Sequence, residues 1–233
     1  VATAFTWLVF TYLLAAVPFG VLLTTLYGGD VDIRSTGSGN IGATNAARVY
    51  GWSIGGPVLL LDVGKGLLPT LGAALVFPEG GLFYQGMVAT VAWLGHCYSI
   101  YLGMRGGKGV ATGAGGMLAL TPTTTAMAAL LWGALLAVTG RSSVASLGAT
   151  AGLVLLVLVR TPDLALFVLL LAAGIVYAHM QNIRRIAAGE EEAVVRPVRW
   201  GRKAVDEEDV AALLDAAPGG AGEPPPLWRE EGA

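Results

Sequence analysis

Residues 3–26 read TAFTWLVFTYLLAAVPFGVLLTTL, an unbroken stretch without one charged side chain. An α-helix rises about 1.5 Å per residue, so roughly 20 apolar residues cross the hydrocarbon core of a bilayer. This stretch is long enough. It has no basic leading segment and no clear small-residue cleavage site, so it reads as a spanning helix and not as a removable signal.

The pattern recurs along the chain. Apolar segments of crossing type fall at residues 52–77, 82–102, 110–120, 124–139, 144–159 and 164–178, the fourth segment overall (110–120) being short and rich in glycine. The spacing predicts an all-α, polytopic membrane bundle of seven helices. With 55% hydrophobic and 13% charged residues, the composition is not that of an ordinary soluble domain. Up to residue 183 there are seven Lys/Arg and five Asp/Glu, against seven and eleven in the last 50 positions, so the net charge of −2 describes the tail. The single cysteine, Cys97, excludes an intramolecular disulfide and a multi-cysteine metal cluster.

Cations set the expected orientation, because short cytoplasmic loops hold the excess of Lys and Arg. Arg34 and Arg48 follow the first segment, Arg105 and Lys108 the third, Arg141 the fifth, and Arg184 with Arg185 the last. The alternate connections carry almost none, with Glu79 alone in one and Arg160 offset by Asp163 in another. The N-terminus is therefore expected outside and the C-terminus in the cytoplasm. The chain divides into a membrane body over residues 1–191 and a charged, proline-containing cytosolic tail over 192–233. That tail runs from basic (Arg196, Arg199, Arg202, Lys203) to acidic (Asp206 to Asp209) and reads as largely disordered, with a short helix at residues 207–214.

Three polar stretches sit at the expected cytoplasmic ends: residues 34–48 (RSTGSGNIGATNAAR), 103–112 (GMRGGKGVAT) and 179–191 (HMQNIRRIAAGEE). In the first, Gly37, Gly39 and Gly42 alternate with Ser38, Asn40, Thr44 and Asn45. Glycines let successive backbone N–H groups converge into an anion-binding nest, and Arg34 and Arg48 add charge-assisted donors. Packing alone would explain the glycines but not the amides, hydroxyls and arginines beside them.

The second stretch is not a nucleotide-binding P-loop, since Gly109 follows Lys108 where that motif needs Ser or Thr. Its logic is still that of an anion site: open amides at Gly106, Gly107 and Gly109, a lysine charge, and Thr112 at a helix start. In the third stretch, His179, Asn182 and Arg185 recur every three residues and share a helix face. Asp62 and Lys65, also three apart and at membrane depth, are expected to pair and support the site, because a lone ionisable group there is costly. His96 and Cys97 are adjacent and point about 100° apart on a helix, a poor nucleophile–base dyad. His96 and His179 lack neighbouring ligands in sequence, so no metal and no cofactor is expected. The reaction, if there is one, must use a substrate that is already activated. A transporter for an organic phosphate and a lipid-binding scaffold are the alternatives of other classes.

The three stretches together resemble the motifs of the bacterial membrane glycerol-3-phosphate acyltransferases that use acyl phosphate, the PlsY family: GSGNIGATN with Arg48, then GGKGVAT, then HMQNIRRIAAGEE. The resemblance covers residues 1–191. It departs at Ser99 and Arg105, where the family usually has proline and lysine, and in its longer tail. It implies acyl transfer from acyl phosphate to the 1-hydroxyl of glycerol 3-phosphate, giving lysophosphatidic acid and phosphate in the bacterial inner membrane. It also implies an upstream enzyme that makes acyl phosphate, and no nucleic-acid partner.

By resemblance, Ser38, His179 and Asn182 take the catalytic positions, and Arg48, Lys108 and Ser143 bind substrate phosphate. Gly39, Asn40, Gly42, Thr44, Asn45, Gly106, Gly107, Gly109 and Thr112 complete the expected phosphate-binding set, with Asp62, Lys65, Arg185 and Glu191 in support. A mixed anhydride has a good leaving group, so no covalent intermediate is expected. The histidine-x4-aspartate pattern of acyl-CoA enzymes is missing, since Tyr101 and Arg184 stand five positions after the two histidines.

Overall fold

Pro18 interrupts the first apolar segment, because it lacks the N–H that would continue the helix. The computed structural model, which describes residues 2–27 and 31–195, accordingly has two helices there, α1 (Ala2–Ala16) and α2 (Phe19–Tyr27). Then follow α3 (Ala43–Tyr50), α4 (Trp52–Val76), α5 (Gly81–Cys97), α6 (Val110–Leu120), α7 (Pro122–Thr139), α8 (Ser142–Arg160), α9 (Ala165–Ala178) and α10 (Met180–Ala188). There is no strand among the described residues. The tail expected from residue 192 lies outside them from residue 196 onward.

Four stretches are long and apolar enough to cross a membrane: Ala2–Tyr27, α4, α7 and α8. The segment Pro162–Ala178 continues into α10 through a 56° bend and makes a fifth if the pair is one span. One of the expected crossings is shorter in the structure, α5 with 17 residues, whereas α6 keeps the 11 residues expected of it. The third apolar segment extends to residue 102, but α5 ends at Cys97. The carbonyls of His96 and Cys97, which have no acceptor role left inside the helix, take the N–H groups of Gly107 (3.1 Å) and Gly106 (2.9 Å) from the following loop. A single turn at Ile100–Leu102 stands apart.

Close approach of α4 and α6 depends on glycine. A Cβ on Gly66 would stand 2.0 Å from the Thr112 carbonyl oxygen, and one on Gly115 2.0 Å from that of Val63. The two backbones touch with nothing between them, so α6 starts at a fixed height against α4. The main apolar core joins Trp93, Met117, Leu153, Val157, Phe167, Val168, Leu171 and Ile175 from α5, α6, α8 and α9. A smaller cluster of Ile33, Ala46 and Val58 anchors the loop before α3.

Candidate active site

Asn45, in the first turn of α3, ties the first polar stretch into a knot. Its Oδ1 accepts the Ser38 N–H (2.9 Å), and its Nδ2 lies 2.9–3.0 Å from the carbonyls of Ile33, Thr36 and Asn40. At 1% exposure, with its amide fully engaged by the loop, Asn45 has no spare donor for a phosphate. It shapes the nest instead. Gly37 and Gly39 take φ values of +62° and +69°, the left-handed region where a side chain is strained. No side chain caps α3 at Gly42, so its first amides stay open at Ala43 and Thr44. Arg34, expected as a second cation here, turns outward and pairs with Asp32 at 2.8 Å.

The second polar stretch hangs from the end of α5 by the two bonds to His96 and Cys97, then turns through Gly109 (φ +75°) into α6. Lys108 is thereby aimed across the molecule, where its Nζ donates to Asn182 Oδ1. Thr112 departs from expectation. Its side chain is fully buried and lines neither of the cavities described below, because its turn is pressed against Gly66.

The third stretch occupies the bend between α9 and α10. His179 Nδ1 lies 2.8 Å from the Ile175 carbonyl, which can only accept, so the ring's proton sits on Nδ1 and Nε2 keeps its lone pair. Burial, with the Lys108 charge adding to it, pushes His179 down to about 4 and leaves it neutral near pH 7. Burial also pushes Lys108 down, to about 8. Glu191 opposes that shift, and Arg185 and Arg48 reinforce it.

Glu191 closes the arrangement. Its Oε1 accepts from Ser143 (2.6 Å) and Asn182 (2.7 Å), its Oε2 from Arg185 (2.8 Å), and its backbone carbonyl from Arg141 (2.7 Å). Burial raises its pKa, but the three donors outweigh burial and hold it below the usual carboxylate range. One carboxylate thus gathers α8, α10 and the segment after α10.

These groups surround a single cavity of about 510 Å³. Ser38, Asn40, Gly42, Thr44, Asn45, Arg48, Asp62, Lys108, Gly109, Ser143, His179, Asn182, Arg185 and Glu191 all line it. Gly39, Gly106 and Gly107 line a second cavity of about 300 Å³, which shares Ser38, Asn40, Lys108, Asn182 and Arg185 with the first, but their N–H groups go to the carbonyls of Thr36, Cys97 and His96 and are not the open amides expected. Lys65 lines neither and pairs with Asp62 at 2.8 Å. His96, set aside on sequence as a poor partner for Cys97, lines the main cavity and stands 3.6 Å from Asp62. Nor does the sequence single out the apolar wall of Ala128, Ala129, Leu153, Leu171 and Ile175, whose residues look like ordinary helix interior until α7, α8 and α9 are assembled. The site can therefore hold phosphate at one end and a hydrocarbon chain beyond it.

Comparison with known proteins identifies the family. The family described as "Glycerol-3-phosphate acyltransferase" matches residues 5–189. A glycerol-3-phosphate acyltransferase of Anaeromyxobacter sp. (strain Fw109-5) is 46% identical over 187 residues, covering 78% of this chain and 91% of the relative. Another, from Sulfurimonas denitrificans, is 41% identical and covers 79% and 93%. The crystal structure of PlsY (YgiH), an integral membrane glycerol 3-phosphate acyltransferase in its glycerol 3-phosphate form, superposes with a TM-score of 0.77 at 34% identity, covering 82% of this chain and 95% of that one. Its lysophosphatidic acid form gives 0.76 at 33% identity. Since the match runs through the helical body, the first two polar stretches and most of the third, this integral membrane acyltransferase belongs to the glycerol-3-phosphate acyltransferase family, of PlsY type.

Proposed function

We propose that the chain transfers a fatty acyl group from acyl phosphate to the 1-hydroxyl of glycerol 3-phosphate, releasing lysophosphatidic acid and inorganic phosphate, the first acylation of phospholipid synthesis at the bacterial inner membrane. The observation that carries the reading is the continuity of one cavity from Arg48, Lys108 and the open amides before α3 to the apolar wall of α7, α8 and α9. Both substrates carry phosphate and one carries a hydrocarbon tail, and this cavity offers a place for each.

Arg48 and Lys108 hold the phosphate of glycerol 3-phosphate, and the backbone from Gly39 to Thr44 cradles that of acyl phosphate. Ser38 adds a hydroxyl donor, while Ser143, its own O–H given to Glu191, holds that carboxylate beside the site. Asn182, held between Lys108 and Glu191, and His179, through the Nε2 lone pair, orient the acceptor hydroxyl. That hydroxyl oxygen attacks the acyl carbon, a C–O ester bond forms, and the bond from acyl carbon to phosphate oxygen breaks. A histidine that burial pushes down to about 4 is a weak base, so the hydroxyl proton passes to a phosphate oxygen of the donor, in a substrate-assisted step. Positioning and charge stabilisation then carry the reaction without a covalent enzyme intermediate.

The same reading favours seven crossings, an external N-terminus and a cytoplasmic C-terminus, with residues 1–191 as the catalytic body. The polar stretches follow the first, third and seventh apolar segments, and their convergence on one cavity requires an even number of crossings between them. An upstream enzyme must make acyl phosphate.

The test is phosphate release by purified protein given palmitoyl phosphate and glycerol 3-phosphate, alongside palmitoyl-CoA as donor. Release that needs both of the first two substrates, with no product from palmitoyl-CoA, is the expected result. Product from palmitoyl-CoA alone would overturn the donor assignment.

A further inference from the structure

Asp62, Lys65 and His96 are each no more than 4% exposed, and the acyl-transfer steps above use none of them. Their contacts run in two directions. Lys65 Nζ, 2.8 Å from Asp62, also donates to the Val17 carbonyl (2.9 Å) and stands 5.5 Å over the Phe19 ring, so it grips the break that Pro18 makes between α1 and α2. In the first turn of α2, Gly20 lies under the first anion loop so closely that a Cβ there would fall 1.7 Å from the Ile41 carbonyl oxygen. Ile41 sits between Asn40 and Gly42, both of which line the main cavity.

In the other direction, Asp62 Oδ1 faces His96 Nδ1 at 3.6 Å. His96 supports the second anion loop twice. Its carbonyl takes the Gly107 N–H, and its Nε2 lies 2.2 Å from where a Gly107 Cβ would stand, so ring and backbone together form the floor beneath the residue preceding Lys108.

We propose that Asp62, Lys65 and His96 form a buried positioning unit that holds both anion loops in register, so that glycerol 3-phosphate affinity depends on residues the phosphate does not touch. Stability alone gives no reason for this unit, since a buried ion pair is often replaced by packed apolar residues at little or no cost. A loop misplaced by about 1 Å, in contrast, loses a large factor in binding or rate.

The experiment is calorimetric titration of glycerol 3-phosphate into purified protein, wild type against the charge-free pair Asp62→Leu/Lys65→Met and against His96→Gln and His96→Leu. It needs no acyl donor, so its outcome is separable from the acyl-phosphate reading, which would fail in the wild-type assay. The double variant is expected to keep its thermal midpoint in detergent and to lose roughly tenfold or more in affinity. His96→Gln, which keeps a polar group toward Asp62, is expected to bind more tightly than His96→Leu. In steady-state assays KM should rise for glycerol 3-phosphate, through the loop that carries Lys108, and for acyl phosphate, through the loop from Gly39 to Thr44. A double variant that folds with unchanged affinity overturns the proposal, as does one that fails to fold, because the charges would then serve stability. Equal affinities for His96→Gln and His96→Leu overturn the part assigned to His96.

Discussion

Lys108 Nζ donates to the Asn182 side-chain carbonyl, joining two residues 74 positions apart that both line the cavity. Asn182 is itself held by Glu191, so the ammonium that faces the cavity is fixed from α10 as well as by its own loop. A cation held there has lost water and has Arg48 and Arg185 as neighbours, with Glu191 as the opposing charge.

Those surroundings set a pH limit. Lys108, pushed down to about 8, is cationic below that value and loses its charge above it. Affinity for a phosphate should therefore be full at pH 7 and fall on the alkaline side, with kcat/KM for glycerol 3-phosphate declining toward tenfold per pH unit beyond about 8. Lys108→Arg tests the assignment, since a guanidinium keeps its proton throughout that range. The variant is expected to be slower but to lack the alkaline limb. Persistence of the same limb would assign it to another group.

Much of the fold was legible because apolar run length is a direct readout of bilayer thickness. Residues 3–26, 52–77 and 144–159 each yielded a helix, or a pair of helices, close to the expected bounds. Helix ends were less legible where they depend on distant partners. α5 stops at Cys97 because the loop around Gly106 and Gly107 claims its last carbonyls, which no local pattern announces. The polar stretches announced an anion site, but not which side chain each residue would spend on its neighbours. Asn45 and Arg34 matched a phosphate-binding composition, yet one is consumed inside its loop and the other pairs with Asp32. His96 was missed for the opposite reason: its meaning lies in Asp62 and Gly107, which only the assembled helices bring to it.

Glu191 should be intolerant of losing its charge. An amide at this position places an NH2 against Arg185 or against Ser143 and Asn182, all of them donors. Hydrogen bonds to a charged group contribute about 1.5–3 kcal/mol, so Glu191→Gln is expected to reduce kcat/KM by roughly tenfold or more. Ser143→Ala removes one donor of the three and should cost less. Because both act on one carboxylate, the double variant should fall short of the product of the single effects. Strictly multiplicative losses in steady-state assays would mean that the carboxylate does not couple these groups.

Two glycines of α4, two positions apart, should respond oppositely to alanine. A Cβ on Gly64 would meet nothing within 4 Å, whereas one on Gly66 would lie 2.0 Å from the Thr112 carbonyl oxygen and 3.0 Å from the Gly116 nitrogen. In an open helix interior, alanine is favoured over glycine by roughly 0.5–1 kcal/mol. Gly64→Ala should therefore keep or raise the thermal midpoint and leave turnover intact. At Gly66 the obstacle is backbone, which cannot rotate aside, and overpacking of this kind costs typically about 1–3 kcal/mol. The strain also pushes α6 away from α4, and α6 begins two residues after Lys108. Gly66→Ala is thus expected to lower the midpoint and to weaken glycerol 3-phosphate binding together. A Gly66→Ala protein that melts and binds like wild type would show that the α4–α6 seam is looser than its geometry requires.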